Sequence, residues 1–240
     1  MIPLSDENPT EITPLATVVI LLANVLAWIL VEGSGEQAAL VASITEFGVV
    51  PCQITGECAG AGLTWGTVFT SMFLHGSWGH LIGNMVFLWV FGNNIEDSMG
   101  HVRFVVFYLL CGIVAALVHV YLAPQSAIPT VGASGAISGI MGAYILLYPR
   151  VRVLTWIPPF FFVQVPALLL LGYWFLVQVA TGVLTYGPEM GDQGGVAVWA
   201  HVGGFAAGLV LIKLFEKRAL TFAKSHKIKL PPEEAHRLEW

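Results

Sequence analysis

The chain has 240 residues, 56% of them apolar and only 10% charged, against roughly a quarter charged in ordinary soluble domains. That balance, with eight tryptophans and 26 glycines, points to a membrane protein. A formal net charge of −5 argues against a nucleic-acid partner, and three cysteines without a CxxC or Cys/His zinc spacing exclude a disulfide framework.

Residues 1–11 form a short tail with Asp6, Glu7 and Glu11 and no Lys or Arg. The apolar run that follows, 12–31, is too long and too poorly flanked for a cleaved signal peptide, so it reads as a retained helix. Five more runs follow at 77–94, 103–123, 134–149, 159–181 and 197–213, each near the ~20 residues that a span needs. Polar breaks separate them: a long loop 32–76, then "NNIEDSMGH", "APQSAIPT", "PRVRVLTWIPP" and "YGPEMGDQGG". The expectation is an all-α bundle of six transmembrane helices over 12–215, followed by a charged tail 216–240 that contacts anionic lipid.

Every Lys and Arg lies on one side of this arrangement. Arg103 follows the second span, Arg150 and Arg152 follow the fourth, and the other seven follow the sixth. The loops 32–76, 124–133 and 182–196 have none, yet carry Glu32, Glu36, Glu46, Glu57, Glu189 and Asp192. By the positive-inside rule both termini are cytoplasmic, and a plasma (cell inner) membrane is expected.

Polar side chains inside spans are functional leads, because hydrocarbon tolerates them mainly where they pair or line a cavity. Ser134 stands sixteen residues before Arg150, roughly 24 Å from that boundary. His80 and Asn84 precede Glu96 by sixteen and twelve residues, and His201 precedes Lys213 by twelve, which places them at roughly 24, 18 and 18 Å. All four converge below the outer surface, with His80 and Asn84 on one helix face.

Small residues explain how these helices meet. Gly135, Gly139 and Ala143 form one small-xxx-small stripe, and Gly204 and Gly208 form a GxxxG on the face that carries His201. Packed by these seams, the fourth and sixth spans would carry His201 against Ser134. The fourth span is too short to reach the outer surface, so "PTVGASG" should dip into the membrane, with Gly132 and Gly135 giving the turn its freedom. A serine at a helix start, free N–H groups suited to an oxyanion and an imidazole form a constellation for acyl transfer.

On "HGSWGHLIGN", "NIEDSMG", the G-x-S-G at 132–135 and "AHVGGFAAG", the chain resembles the rhomboid family of intramembrane serine proteases along nearly all of 1–215. The resemblance implies Ser134 as nucleophile, His201 as general base and then acid, and His80, Asn84 and the Ser134 N–H as oxyanion donors. It implies no cofactor, and transmembrane proteins as substrates. The residues agree on a dyad, since every carboxylate lies outside the spans and Asp192 has no evident route to His201. Two positions depart from the family. Trp65-Gly66 stands where many members have Trp-Arg, and Ser138 stands where some place a tyrosine against the histidine. The alternative is a non-catalytic rhomboid-like protein that binds or escorts membrane clients. Such proteins usually lack the serine or the histidine, and both are present here.

The remaining polar and aromatic residues have plainer readings. Ser138 packs in the small stripe, His75 shapes the rim, and His101 and His119 are structural or exposed. A metal site from His75, His80 and His201 is disfavoured, because no HExxH or accompanying carboxylate is present. Phe160, Phe161 and Phe162, with Tyr173, Trp174 and Phe175, face lipid or its interface. The fifth span, rich in such aromatics and followed by a glycine-rich loop, is the expected movable wall. Cys52 and Cys58 either close a short disulfide or remain free thiols.

Overall fold

The computed structural model describes residues 1–58, 65–185, 197–225 and 233. The loop acids Glu189 and Asp192 lie outside these described residues.

The first span is helix α1 (Leu15–Leu30), which begins after Pro14 with no capping side chain of its own. The first N–H groups of a helix have no partner within it, and in an apolar setting they need one. A carboxylate eighty residues away supplies it. Glu96 accepts from the Ala16 N–H at 2.8 Å and from the Thr17 N–H and hydroxyl, both at 2.7 Å. Its neighbour Asp97 accepts from the N–H groups of Glu11 and Ile12 at 2.9 and 2.8 Å.

This clasp corrects the reading of "NNIEDSM" as a polar break. The second span starts as α5 (Trp78–Phe87), passes through a π-helical turn at Leu88–Gly92 and continues as α6 (Asn93–Met99). Glu96 and Asp97 are buried because the start of α1 and His101 occupy their oxygens. A left-handed Gly100 then separates α6 from α7 (His101–Leu122).

Between α1 and α5, the described residues of the loop 32–76 are mostly helical. They contain α2 (Gln37–Phe47), α3 (Pro51–Thr55) and α4 (Thr67–Thr70). Glu36 caps α2 by accepting the Ala38 and Ala39 N–H groups. Cys52 and Cys58 are joined by a disulfide, which resolves the alternative that the sequence left open. An isolated bridge between Val49 and Thr130 ties this loop to the segment before the fourth span, α8 (Ser134–Leu147).

The helical bundle carries one addition, a three-stranded antiparallel sheet in the order β1-β2-β3. The segment read as an N-terminal tail supplies β1 (Ile2–Asp6), which pairs with β2 (Arg152–Ile157), and β2 pairs with β3 (Phe161–Pro166). The fifth span therefore starts later than 159, as α9 (Ala167–Leu184). Pro158-Pro159 interrupts helix at the hairpin, and Val153, Thr155, Val163 and Val165 favour strands. Phe160, Phe161 and Phe162 are exposed at the hairpin and not on a helix.

The sixth span is α10 (Val198–Phe215), and α11 (Arg218–Ser225) opens the C-terminal segment. Within that segment, Lys224 Nζ reaches Asp97 at 2.6 Å and Asn94 at 2.7 Å, which fastens α11 to the clasp. Helices α7, α9 and α10 are each long and apolar enough to cross a membrane, and α1 and α8 are shorter apolar helices. Phe91, Phe104, Phe107, Tyr108, Ile140 and Tyr144 fill the core among α5–α8.

Candidate active site

Two glycine seams set the site. An added Cβ on Gly204 would stand 2.0 Å from the Gly135 carbonyl oxygen, and one on Gly208 would stand 1.9 Å from that of Gly139. Backbone therefore touches backbone along α8 and α10, which only glycine allows. A Cβ on Gly135 would also meet the Ala115 side chain at 2.7 Å and one on Gly139 the Cys111 side chain at 2.5 Å, so α7 packs on α8 through small side chains.

This contact brings Ser134, the first residue of α8, to His201 in the first turn of α10. Ser134 Oγ lies 2.8 Å from His201 Nε2. The other ring nitrogen, Nδ1, lies 2.8 Å from Gln178 Oε1 on α9. Because Oε1 can only accept, a neutral His201 donates from Nδ1 and leaves the Nε2 lone pair facing the serine hydroxyl. That arrangement suits a general base.

The turn before Ser134 needs Gly132, whose φ of 135° is open mainly to glycine. A Cβ there would also sit 2.9 Å from His80 Cε1 and Nε2 and 3.4 Å from Ser134 Oγ, so the His80 ring lies directly across the turn. The Gly132 N–H donates to the Ser71 carbonyl at 2.9 Å and fixes this loop to 71–77. His80 accepts the Gly76 N–H at Nδ1, 3.3 Å away, so its neutral ring carries its proton on Nε2, on the side of Gly132. The first N–H groups of α8 have no carbonyl within the helix, which leaves them available at the same place.

Asn84 sits one turn below His80, buried, and its amide donates to the His80 carbonyl at 3.0 Å. It does not border the cavity of about 630 Å³ that Ser134, His201, His80, Gly132, His119 and Thr130 help to line. The structure thus brings Ser134, His201, His80 and Gly132 together at the cavity, with Asn84 one helical turn from His80. Ser138 is buried and donates to the Ser134 carbonyl at 2.6 Å.

The rim has its own supports. Glu32 is fully buried and accepts the His75 N–H at 2.7 Å, which holds the 71–77 turn. Burial pushes the Glu32 carboxyl up to about 7. Burial first, and the neighbouring His80 second, pull His75 down to about 3, so its ring stays neutral. The His75 ring meets the His80 ring edge-on, with centroids 5.1 Å apart. His75 therefore shapes the place of His80. His119 is held by Thr130 at 3.1 Å, and His101 belongs to the distant Glu96 clasp.

Two neighbours of the dyad differ from the sequence reading: Gln178 was not singled out, and Trp174 was expected to face lipid or its interface. Trp174, one turn from Gln178 on α9, lies against His201 with ring centroids 5.5 Å apart. The two rings are tilted by 41°. The available signal was a glutamine and a tryptophan four residues apart, on one face of an otherwise apolar span.

The Rhomboid domain family matches residues 62–218. The chain is 29% identical over 159 residues to Rhomboid-like protein 11, chloroplastic, of Arabidopsis thaliana, covering 64% of this chain and 53% of that protein. It is 28% identical over 150 residues to Rhomboid protein 1, mitochondrial, of Saccharomyces cerevisiae, covering 60% and 40%. To Rhomboid protease GluP of Bacillus subtilis it is 38% identical over 84 residues, covering 35% and 16%. The matched regions span about half or less of these relatives' own lengths.

Proposed function

The chain belongs to the rhomboid family, and from that premise we propose that it is an intramembrane serine endopeptidase that cuts transmembrane helices of other membrane proteins. The observation that carries this reading is the Ser134–His201 contact of 2.8 Å, at the glycine seam of two apolar helices. In the proposed reaction His201 Nε2 takes the Ser134 proton as Oγ attacks the scissile carbonyl. The carbonyl oxygen becomes an anion that His80 Nε2–H and the Ser134 N–H stabilise, with the second Asn84 amide N–H, one turn away, as a further donor. His201 then gives its proton to the leaving amine, and a water hydrolyses the acyl-serine by the same steps in reverse roles.

The protein is an integral membrane protein of the rhomboid-like helical class. Six spans, with both termini on the side of every Lys and Arg, are part of the proposal, as is the division into 1–11, 12–215 and 216–240. The names chloroplastic and mitochondrial describe two of the relatives, and they give no support to the plasma membrane expected from the sequence.

A substrate must offer an unwound carbonyl, because helical carbonyls are already hydrogen-bonded and covered. Cleavage should favour Gly, Ala or Pro near the outer end of a transmembrane helix, where helix-breaking residues ease unwinding. The test is reconstitution in liposomes with a model transmembrane substrate and mass spectrometry of the fragments. Fragments from the wild type, with none from Ser134→Ala or His201→Ala, are expected. An intact substrate with folded wild type would favour the client-binding alternative.

A further inference from the structure

We propose that Gln178 is a positioning residue, which holds His201 in the tautomer that the dyad needs and ties that alignment to the seating of α9. This role rests on the acyl-transfer reading of Ser134 and His201.

A neutral imidazole carries one proton, and a dyad with no orienting partner lets it sit on either nitrogen. With the proton on Nε2, the ring can only donate toward Ser134 and cannot accept its hydroxyl proton. The amide oxygen of Gln178, 2.8 Å from Nδ1, removes that option by giving the Nδ1 proton an acceptor. When His201 becomes cationic, the same Nδ1–H donates to an oriented carbonyl dipole. Gln178 thereby fills the place that a carboxylate takes in a three-residue site, without a charge that would need stabilising inside the bilayer.

The support comes from one helix. Trp174 and Gln178 are one turn apart on α9, and both reach His201. Phe175 stacks on Phe205 of α10 with centroids 4.4 Å apart, which sets the height of α9 against the base. Of the three long apolar helices, α9 is the least buried, and Leu168, Leu169, Tyr173 and Leu176 face outward. The base is therefore aligned only while this lightly packed wall is seated. The titratable side chains that line the same cavity are His80 from α5 and His119 from α7.

The test uses the rate at which a fluorophosphonate labels Ser134 in full-length protein, measured across pH, with the melting temperature beside it. Gln178→Met keeps the shape and removes the acceptor. It should slow labelling about tenfold to a hundredfold with an unchanged melting temperature, the scale of a misplaced catalytic group. Gln178→Glu restores an acceptor. It should recover the rate at high pH and move the acid limb of the profile to higher pH, because a carboxylate favours the imidazolium. A merely structural glutamine would not move that limb. Wild-type rates in Gln178→Met, or an unmoved limb in Gln178→Glu, would overturn the assignment while leaving the dyad standing. A wild type that never labels would overturn both.

Discussion

Substituting Gly204 by alanine probes the seam that makes the site. The new Cβ would stand 2.0 Å from the Gly135 carbonyl oxygen, where real Cβ atoms keep at least 3.0 Å, so α8 and α10 must part by about 1 Å. Gly135 adjoins Ser134, and Gly204 lies one turn from His201. Much of that displacement should therefore appear in the 2.8 Å Ser134–His201 contact, taking it beyond the ~3.2 Å limit of a good hydrogen bond. Overpacking of this kind costs about 1–3 kcal/mol of stability. A misplacement near 1 Å costs about a hundredfold in rate. The assay is the fluorophosphonate labelling rate and melting temperature of Gly204→Ala beside Gly83→Ala, whose Cβ would meet nothing within 4 Å. Gly83→Ala should label like the wild type and melt at the same temperature or slightly above it, because alanine favours the helix. Wild-type labelling and melting in Gly204→Ala would refute the reasoning that backbone contact at this seam sets the dyad.

Three further outcomes follow from other parts of the fold. His80→Ala should lower turnover by about a hundred- to a thousandfold with KM little changed, and Asn84→Ala by less, because its amide is turned to the His80 carbonyl; steady-state kinetics on a cleavable transmembrane substrate compares them. The Glu32 carboxyl lies above its ordinary 4.5, at about 7, because it is buried, so the folded state binds its proton more tightly than the unfolded state. Stability from this group is then greatest at low pH and is lost as pH rises toward 7 and beyond. Glu32→Gln should raise the melting temperature near pH 8 and change it little near pH 5. Glu96→Ala removes the acceptor shared by Ala16, Thr17 and His101 and should cost about 3–5 kcal/mol, read as a lower melting temperature and earlier proteolysis of the α1 end.

What the sequence made legible was local. Hydropathy marked the apolar segments, the spacing of Gly135, Gly139, Gly204 and Gly208 marked a seam, and residue depth put Ser134 and His201 within about 6 Å of one level. What it hid depended on partners far along the chain. Glu96 and Asp97 looked like loop residues because the donors that permit their burial lie at 11–17. Strand β1 has no meaning without Val153–Trp156, its partners about 150 residues on. Phe160 to Phe162 share the hydropathy of the span that follows, so only the prolines before them signalled a hairpin. Gln178 was visible as a polar residue in an apolar span. Its depth was not legible from a basic boundary, because the nearest one, Arg152, stands 26 residues before it with Pro158, Pro159 and Pro166 between.

The most direct measurement of the central claim is peptide-level mass spectrometry of the detergent-solubilised protein after fluorophosphonate treatment. An ordinary serine is unreactive, so an adduct at Ser134 alone would report a base at work on it. The wild type should carry that adduct and label faster as pH rises and the His201 imidazole loses its proton. His201→Ala, with its fold intact by melting temperature, should not label. No adduct on folded wild type in detergent or in native membranes, while a known serine hydrolase labels beside it, would contradict the claim that Ser134 and His201 form a working dyad.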